Sequence, residues 1–144
     1  PGYNVRPLEM SGAIGIEQLK KLPSFIFQRR KNAELFVNLF KDDKRFLIQK
    51  EIGKSSWFGF SLIIIDKSII RKEIIDLLTK NKIDSRPIVT GDFTKNDVMK
   101  FFNYEIHKTL DNSDHLHFNG FFLGNSHLDL TKELNHLKEI LTNF

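Results

Sequence analysis

Apolar residues recur at the three- and four-residue spacing of amphipathic helices in residues 8–22 and 25–40. The first stretch carries small residues between its apolar ones, and the second separates an apolar stripe from a basic and polar face. Pro23 lies between them and lacks the backbone N–H that a helix interior uses. We therefore predict two helices with a break at Pro23. Because Gly12 and Gly15 each weaken a helix by about 1 kcal/mol relative to Ala, the first helix should gain its stability from tertiary or subunit contacts.

Beyond residue 44 the hydrophobic pattern changes from the helical period to that of a sheet. The segments with the pattern of extended strands are 46–48, 57–65, 83–89 and 121–123. Helical spacing is found at 69–80 and again in a closing helix from Thr131. Between them we predict a short helix that Thr94 or Asn96 would cap and that would end at Phe102. The apolar run at 57–65 predicts a strand buried on both faces. This order predicts a small α/β sandwich in which helices pack on a short, mostly antiparallel sheet.

Composition favours one compact domain. The 144 residues are 40% hydrophobic and 28% charged, and no apolar run approaches the roughly 20 residues of a membrane-spanning helix, so we predict no membrane partner. The net charge of +4 is spread along helices, which predicts no nucleic-acid partner. The lack of cysteine removes disulfides and a Cys nucleophile and fits a reducing compartment. Because the chain opens with Pro1 and enters a loop directly, we expect it to be part of a longer protein.

Local chemistry alone identifies no reaction. The histidines that suggest a metal site are His115, His117, His127 and His136. No carboxylate stands at a ligand spacing from them, so we predict no metal site. The run Arg29-Arg30-Lys31 is interpreted as a solvated helix face rather than a phosphate site. The loops that begin at Gly91 and Gly124 lie at strand ends, where α/β folds place ligand contacts, but neither matches a glycine-rich nucleotide motif.

Two groups of motifs resemble a known family. Residues 2–6 are Gly-Tyr-Asn-Val-Arg, a helix rich in small residues follows, and residues 18–22 are Gln-Leu-Lys-Lys-Leu. The second group is Ser-Arg-Pro-Ile-Val-Thr-Gly-Asp at 85–92, Val-Met-Lys at 98–100 and Gly-Phe-Phe-Leu-Gly-Asn at 120–125. In this order they resemble the DegT/DnrJ/EryC1/StrS family of pyridoxal-phosphate-dependent nucleotide-sugar aminotransferases. The second group is similar to the family's sugar 3-dehydratase branch, and the resemblance spans nearly the whole chain.

The resemblance implies a fold type I enzyme, similar to aspartate aminotransferase, of which this chain would be the C-terminal part. Residues 1–22 would form the interdomain loop and connecting helix, and residues 23–144 the C-terminal small α/β domain. The N-terminal large domain, which binds the cofactor, would be absent from this chain. The Schiff-base Lys, or the His that replaces it in dehydratases, would lie upstream. We therefore assign no catalytic residue to this chain and expect it to be inactive by itself.

The same resemblance assigns binding roles to three residues. Asn4 matches the family Asn whose side-chain amide reaches the cofactor phosphate of the neighbouring subunit; the alternative is an Asx-turn residue. Arg6 matches the Arg of that loop and would hold the sugar nucleotide or form an ion pair with Glu9. Arg86 matches the family's Arg-Pro turn and would contact a nucleotide phosphate, with a structural salt bridge as the alternative.

Two positions depart from the family pattern. Relatives carry His where this chain has Ser126, and here His127 follows one residue later. Relatives carry Asn or Ser where this chain has Asp92. If its loop lines the site, the Asp92 carboxylate would place a negative charge near an anionic substrate.

The implied function is that of a cytoplasmic homodimer with shared active sites. With pyridoxal 5'-phosphate or pyridoxamine 5'-phosphate, the parent enzyme would act on nucleotide-activated 4-keto-6-deoxysugars in polysaccharide or lipopolysaccharide sugar biosynthesis. The reaction would be 3-dehydration or transamination, depending on whether His or Lys stands at the Schiff-base position. The alternative is a non-catalytic α/β binding or interaction domain. In either case the apolar residues of the first helix predict that the chain by itself aggregates or forms oligomers.

Overall fold

The computed structural model describes residues 7–144. In chain order, the helices and strands of this part are α1 (Glu9–Phe40), β1 (Phe46–Ile48), β2 (Gly59–Ile64), α2 (Arg71–Lys80), α3 (Asp111–Asn119), β3 (Gly120–Gly124) and α4 (Thr131–Thr142). Short 3-10 helices at Phe93–Lys95 and Asp97–Phe101 connect α2 to α3. Among the described helices, none combines the length and the apolar character needed to cross a lipid bilayer.

The three strands form an antiparallel sheet in the order β1-β2-β3, as the sequence predicts. Phe46 pairs with Ile64 across β1 and β2, and Phe60 pairs with Leu123 across β2 and β3. The predicted strand at 83–89 is reduced to a single bridge between Arg86 and Phe122. Pro87 has no N–H to extend the ladder, and Val89 has a positive φ of 43°, so the backbone leaves the sheet there.

The core lies on one face of the sheet, under the second half of α1 together with α2 and α4. Alternate residues of β2 point into it, so Phe60, Leu62 and Ile64 are buried. The Phe36 ring of α1 stacks on Phe60 with centroids 4.7 Å apart. On the opposite face of β2, Ser61 is only half-buried, so the prediction of a strand fully buried on both faces is wrong.

Helix α1 is continuous through Pro23, and the predicted break is therefore wrong. Leu19 is 65% exposed and Leu22 is 44% exposed, so water can solvate the carbonyl group that Pro23 leaves without a donor. The Ser24 hydroxyl donates to the Lys21 carbonyl at 2.7 Å. Pro23 thus removes a hydrogen bond without ending the helix.

The connection between α2 and β3 also differs from the prediction. The expected short helix ending at Phe102 is divided into the two 3-10 helices, which Asp92 and Asn96 cap by accepting from the backbone N–H two residues later. Helix α3 was not predicted, because none of its residues is fully buried and its sequence lacks an apolar stripe.

The first half of α1 packs on no other described element, although it carries large apolar side chains. Those that are exposed are Met10, Ile14, Ile16, Leu19 and Leu22. A Cβ added at Gly12 or Gly15 would meet no described atom within 4 Å. The close packing predicted for this small face is therefore not made within residues 7–144.

Candidate functional site

Of the three residues assigned binding roles, Asn4 and Arg6 lie outside the described residues, and Arg86 lies within them. Backbone pairing fixes Arg86: its N–H donates to the Phe122 carbonyl at 2.9 Å, and the Phe122 N–H donates back at 2.8 Å. The side chain is exposed. Within residues 7–144 no carboxylate lies at ion-pair distance from its guanidinium, so the alternative role in a structural salt bridge has no partner there.

Arg86 lies between two cavities at the β3 side of the sheet. The larger, of about 390 Å³, is lined by Phe58, Asp84, Arg86, Pro87, Val89, Phe122, Gly124 and Asn125. The smaller, of about 250 Å³, includes Arg71 and Lys72. Arg71 donates to the carbonyl oxygens of His117 and Gly120 at 2.9 and 3.0 Å, so part of its guanidinium is used within the protein. Arg86 and Lys72 are the other cationic side chains of the two cavities, and positive charge suits an anionic ligand.

An aromatic pair forms one wall of the larger cavity. The rings of Phe58 and Phe122 stack with centroids 5.5 Å apart and planes 21° apart. Gly59 makes this possible, because a Cβ there would overlap the Phe122 ring and the Leu123 carbonyl oxygen. Phe58 is 82% exposed, and sequence reasoning missed it. The signal was a glycine between bulky residues of a strand, which indicates a close approach from a neighbour.

The Gly-Asn loop that follows β3 is held by its own asparagine. The Asn125 side-chain amide donates to the carbonyl oxygens of Arg29 and Trp57, both at 3.0 Å. Its oxygen accepts from the side chain of Asn32 at 3.1 Å and from the Ser126 N–H at 2.8 Å. Since its hydrogen-bonding groups are used within the protein, Asn125 positions the cavity rim and is not itself a ligand-binding group.

The basic run on α1 is not merely solvated, contrary to the prediction. Arg29 donates to the carbonyl oxygens of Ser56 at 2.8 Å and Trp57 at 2.5 Å. Arg30 donates to those of Ser55 at 3.0 Å and Lys54 at 2.6 Å. The two guanidinium groups satisfy the carbonyls of the segment that enters β2, and they thereby fix the segment that ends at Phe58.

Asp92 does not line the cavity beside Arg86, so its charge is not presented to a ligand there. The carboxylate is buried and accepts from the Thr94 N–H at 2.9 Å and hydroxyl at 2.7 Å. The Thr94 hydroxyl holds the pKa of Asp92 below its usual range, with Lys95 adding a favourable charge. Asp92 therefore caps the 3-10 helix.

Two of the histidines make structural contacts. His127 packs against Phe25 with ring centroids 4.3 Å apart, and His117 Nδ1 accepts from the Asp92 N–H at 3.3 Å. In the part of the chain covered by the structure, no group of three or more His or carboxylate side chains could hold a metal ion.

Comparison with known proteins gives the family. The family model for DegT/DnrJ/EryC1/StrS aminotransferases matches residues 1–140. The chain belongs to this family. It is 57% identical over 143 residues to a GDP-4-keto-6-deoxy-D-mannose 3-dehydratase of Escherichia coli, and the match covers 98% of this chain and 37% of that protein. The resemblance found in the motifs is confirmed, including the 3-dehydratase branch.

Solved structures confirm the fold. The E. coli enzyme with bound hydrated PLP superposes with a TM-score of 0.92 at 57% identity, over 98% of this chain and 37% of that chain. A mutant GDP-4-keto-6-deoxymannose-3-dehydratase with bound GDP-perosamine gives the same TM-score, identity and coverage. This chain therefore has the α/β fold of part of a fold type I PLP enzyme, and it spans just over a third of the length of these relatives.

Proposed function

We propose that this chain is the C-terminal portion of a GDP-4-keto-6-deoxymannose 3-dehydratase that works in the synthesis of surface-polysaccharide sugars. The observation that carries the proposal is the 57% identity to such an enzyme across 98% of the chain. In the proposed parent, residues 1–22 connect the domains and residues 23–144 form the small domain. A free-standing binding domain, the alternative function, lacks comparable support.

The proposed cofactor is pyridoxal or pyridoxamine 5'-phosphate, which supplies an electron sink for the carbanion formed beside the departing C3 oxygen. The catalytic base would come from the upstream part of the parent. This chain would contribute Asn4, whose amide N–H suits a phosphate dianion. The donors that the sequence supplies here, the Asn4 amide and the Arg6 guanidinium, fit an anionic group of this kind.

Arg86 is proposed to bind the diphosphate of the nucleotide sugar. Its guanidinium carries a permanent charge and a planar fork of donors, which matches phosphate oxygens. The Phe122 backbone pairing fixes the base of the side chain, while the guanidinium is free to reach into the cavity. Arg86 would thus orient the substrate without taking part in proton transfer.

The proposed assembly is a cytoplasmic homodimer in which each subunit completes its neighbour's site. The exposed apolar face of α1 supports a large buried contact in the parent, because soluble proteins rarely leave such a face in water. The upstream domain and a second subunit are its proposed partners.

The test uses the full-length protein that contains this chain. Incubation with GDP-4-keto-6-deoxymannose, pyridoxamine 5'-phosphate and glutamate should yield the 3-deoxygenated 4-keto sugar, detected by mass spectrometry. The loss of the C3 oxygen is balanced by oxidation of the pyridoxamine form to the pyridoxal form with release of ammonia, and glutamate, as amino donor, restores the pyridoxamine form for the next turnover. Arg86→Ala should raise KM with a smaller change in kcat, whereas Lys132→Ala, at an exposed lysine of α4 that lines neither cavity, should leave both unchanged. A purified, folded holoenzyme that leaves this substrate unchanged contradicts the proposal.

Asn4 has a test of its own. Asn4→Ala should remove a hydrogen bond to a charged phosphate and weaken cofactor binding by about 10- to 150-fold, and Asn4→Asp should be worse because repulsion is added. Mixing Asn4→Ala chains with chains that lack the Schiff-base residue should restore about a quarter of the wild-type activity by random pairing. If heterodimers form and the mixture stays inactive, Asn4 does not serve the neighbouring subunit.

A further inference from the structure

A buried amide side chain of α1 faces the loop that follows β3. Asn32 lies on the core-facing side of the helix, four residues before Phe36, and it is only 2% exposed. An apolar side chain would fill this position without the cost of burying a polar group. Residues 125–130 form neither helix nor strand, so their backbone groups need partners from elsewhere in the chain. Asn32 can supply those hydrogen bonds, whereas an apolar side chain cannot.

The Asn32 side chain makes hydrogen bonds with both its nitrogen and its oxygen. Its amide nitrogen donates at 2.8–3.1 Å to three oxygens of the loop, which are those of the Leu128 carbonyl, the Ser126 carbonyl and the Asn125 side chain. Its oxygen accepts from the Leu130 N–H at 3.3 Å and from the Gln28 side chain at 2.9 Å. One side chain of α1 therefore holds the loop at its beginning and at its end.

Asn125 connects this loop to the cavity beside Arg86. It lines the cavity, and its amide donates to the carbonyl oxygens of Arg29 and Trp57, both at 3.0 Å. Trp57 has a positive φ of 49°, which a bulky residue adopts only when its surroundings hold it there. A displaced Asn125 would therefore loosen the turn that leads into Phe58, another residue of the cavity wall.

We propose that Asn32 is a positioning residue of the 3-dehydratase. The Asn32 amide fixes the orientation of Asn125, and Asn125 in turn keeps the cavity rim in the shape that receives the nucleotide sugar. Because Asn32 is buried and does not line this cavity, it affects the substrate only through Asn125. The inference rests on the proposed function and extends it to a residue in the core of the small domain.

The first test measures the kinetics of the full-length holoenzyme with the GDP sugar and with glutamate. Asn32→Ala should lower kcat/KM for the GDP sugar about tenfold, through a higher KM. Both kcat and kcat/KM for glutamate should stay within about twofold, because glutamate carries no nucleotide to fill the cavity. A purely structural role would instead lower the two kcat/KM values equally, by reducing the active fraction. Asn38→Ala is the matched control, since Asn38 is an exposed asparagine of the same helix.

A double variant tests whether Asn32 acts through Asn125. Asn125→Ala should cause the same loss as Asn32→Ala. The two changes together should cost at most about 20-fold, whereas independent residues would give about 100-fold. Asn32→Ser keeps one donor and should lose about threefold, and it is judged by the same criteria if Asn32→Ala does not fold.

Hydrogen exchange of the same holoenzyme gives a readout that does not depend on activity. In Asn32→Ala the amides of residues 125–130 should exchange about tenfold faster than in the wild type, because the loop has lost its bonds to α1. The inference is overturned if this exchange is unchanged, if the GDP sugar and glutamate are affected equally, or if the double variant gives the full product. A wild type without turnover removes the proposed function and this role with it, whereas turnover with an unaffected Asn32→Ala removes this role alone.

Discussion

The two halves of helix α1 have opposite surroundings although they form one continuous element. In the second half, Phe36 and Phe40 are fully buried against the sheet and α4. In the first half, Ile16 is 60% exposed and Leu19 is 65% exposed. The second half is stabilised by the core of this chain, while the first half extends from it with no comparable contact among the described residues.

The difference shows which part of α1 is stabilised by contacts within this chain. Gly12, Gly15 and Pro23 all lower helix propensity, and all lie in the exposed half. Helices gain most of their stability from burying an apolar face. The first half therefore has the sequence of a helix that is stabilised by packing against another surface. This supports the proposed interface with the upstream domain or a second subunit.

The largest effect should come from removing one large apolar side chain from each half. Phe36→Ala should lower the free energy of unfolding of the 144-residue chain by about 3–5 kcal/mol, because it leaves a cavity in the core. Leu19→Ala should change it by less than about 0.5 kcal/mol, because Leu19 is exposed. Urea denaturation of both variants checks this contrast, and equal costs would show that the first half belongs to the same core.

Lowering the pH should destabilise mainly the packed C-terminal end of α1. Asp43 accepts from Arg45 at 2.9 Å and from Lys138 of α4 at 2.9 Å. The Arg45 guanidinium holds the pKa of Asp43 well below its usual range, with Lys138 contributing, although burial opposes the shift. A lowered folded-state pKa stabilises the protein above the ordinary Asp pKa of about 3.9, and this stability is lost as the pH falls through the folded value.

Asp43→Asn should therefore cost about 1.5–3 kcal/mol at pH 7 and flatten the decline in stability below pH ~4. The control in the first half is Glu17→Gln, which breaks an exposed pair with Lys20 and should change stability by at most about 1 kcal/mol at any pH. Thermal unfolding between pH 2 and 7 provides the measurement. A variant Asp43→Asn with the wild-type pH profile would contradict this account.

The exposed face of the first half should make the chain associate by itself. Leu19→Lys places a charge in this face and should weaken self-association about tenfold, or about 1.4 kcal/mol. Light scattering across a concentration series measures the effect, with Lys132→Ala, at an exposed lysine of α4 outside this face, as the control. A wild-type chain that remains monomeric at high concentration contradicts the prediction.

The smallest effects should come from the two glycines. In the 144-residue chain, Gly12→Ala and Gly15→Ala should each stabilise the first half by about 1 kcal/mol, since an added Cβ meets no described atom within 4 Å. Hydrogen exchange of residues 8–22 reports this gain. In the full-length protein the same changes should lower thermal stability if the small face is packed closely. Equal stabilisation of the 144-residue chain and the full-length protein would exclude close packing of Gly12 and Gly15 against another surface.

The sequence by itself determined the elements in which solvent-exposed and buried positions alternate with a regular period. The strands β1, β2 and β3 and the helices α2 and α4 are found where the hydrophobic periods predict them, because local periodicity reports which face is buried. The motifs also determined the family, which the match over residues 1–140 confirms. The roles of Asn4, Arg6 and Arg86 stay predictions.

Only the tertiary structure decided which groups meet across long distances along the chain. Arg29 and Arg30 were predicted to be solvated, and they bind the carbonyls of residues 54–57 instead. Phe58 became a cavity wall because Gly59 lets Phe122 approach. Such contacts depend on backbone groups left without partners and on space left by a missing Cβ, and neither produces a local pattern in the sequence.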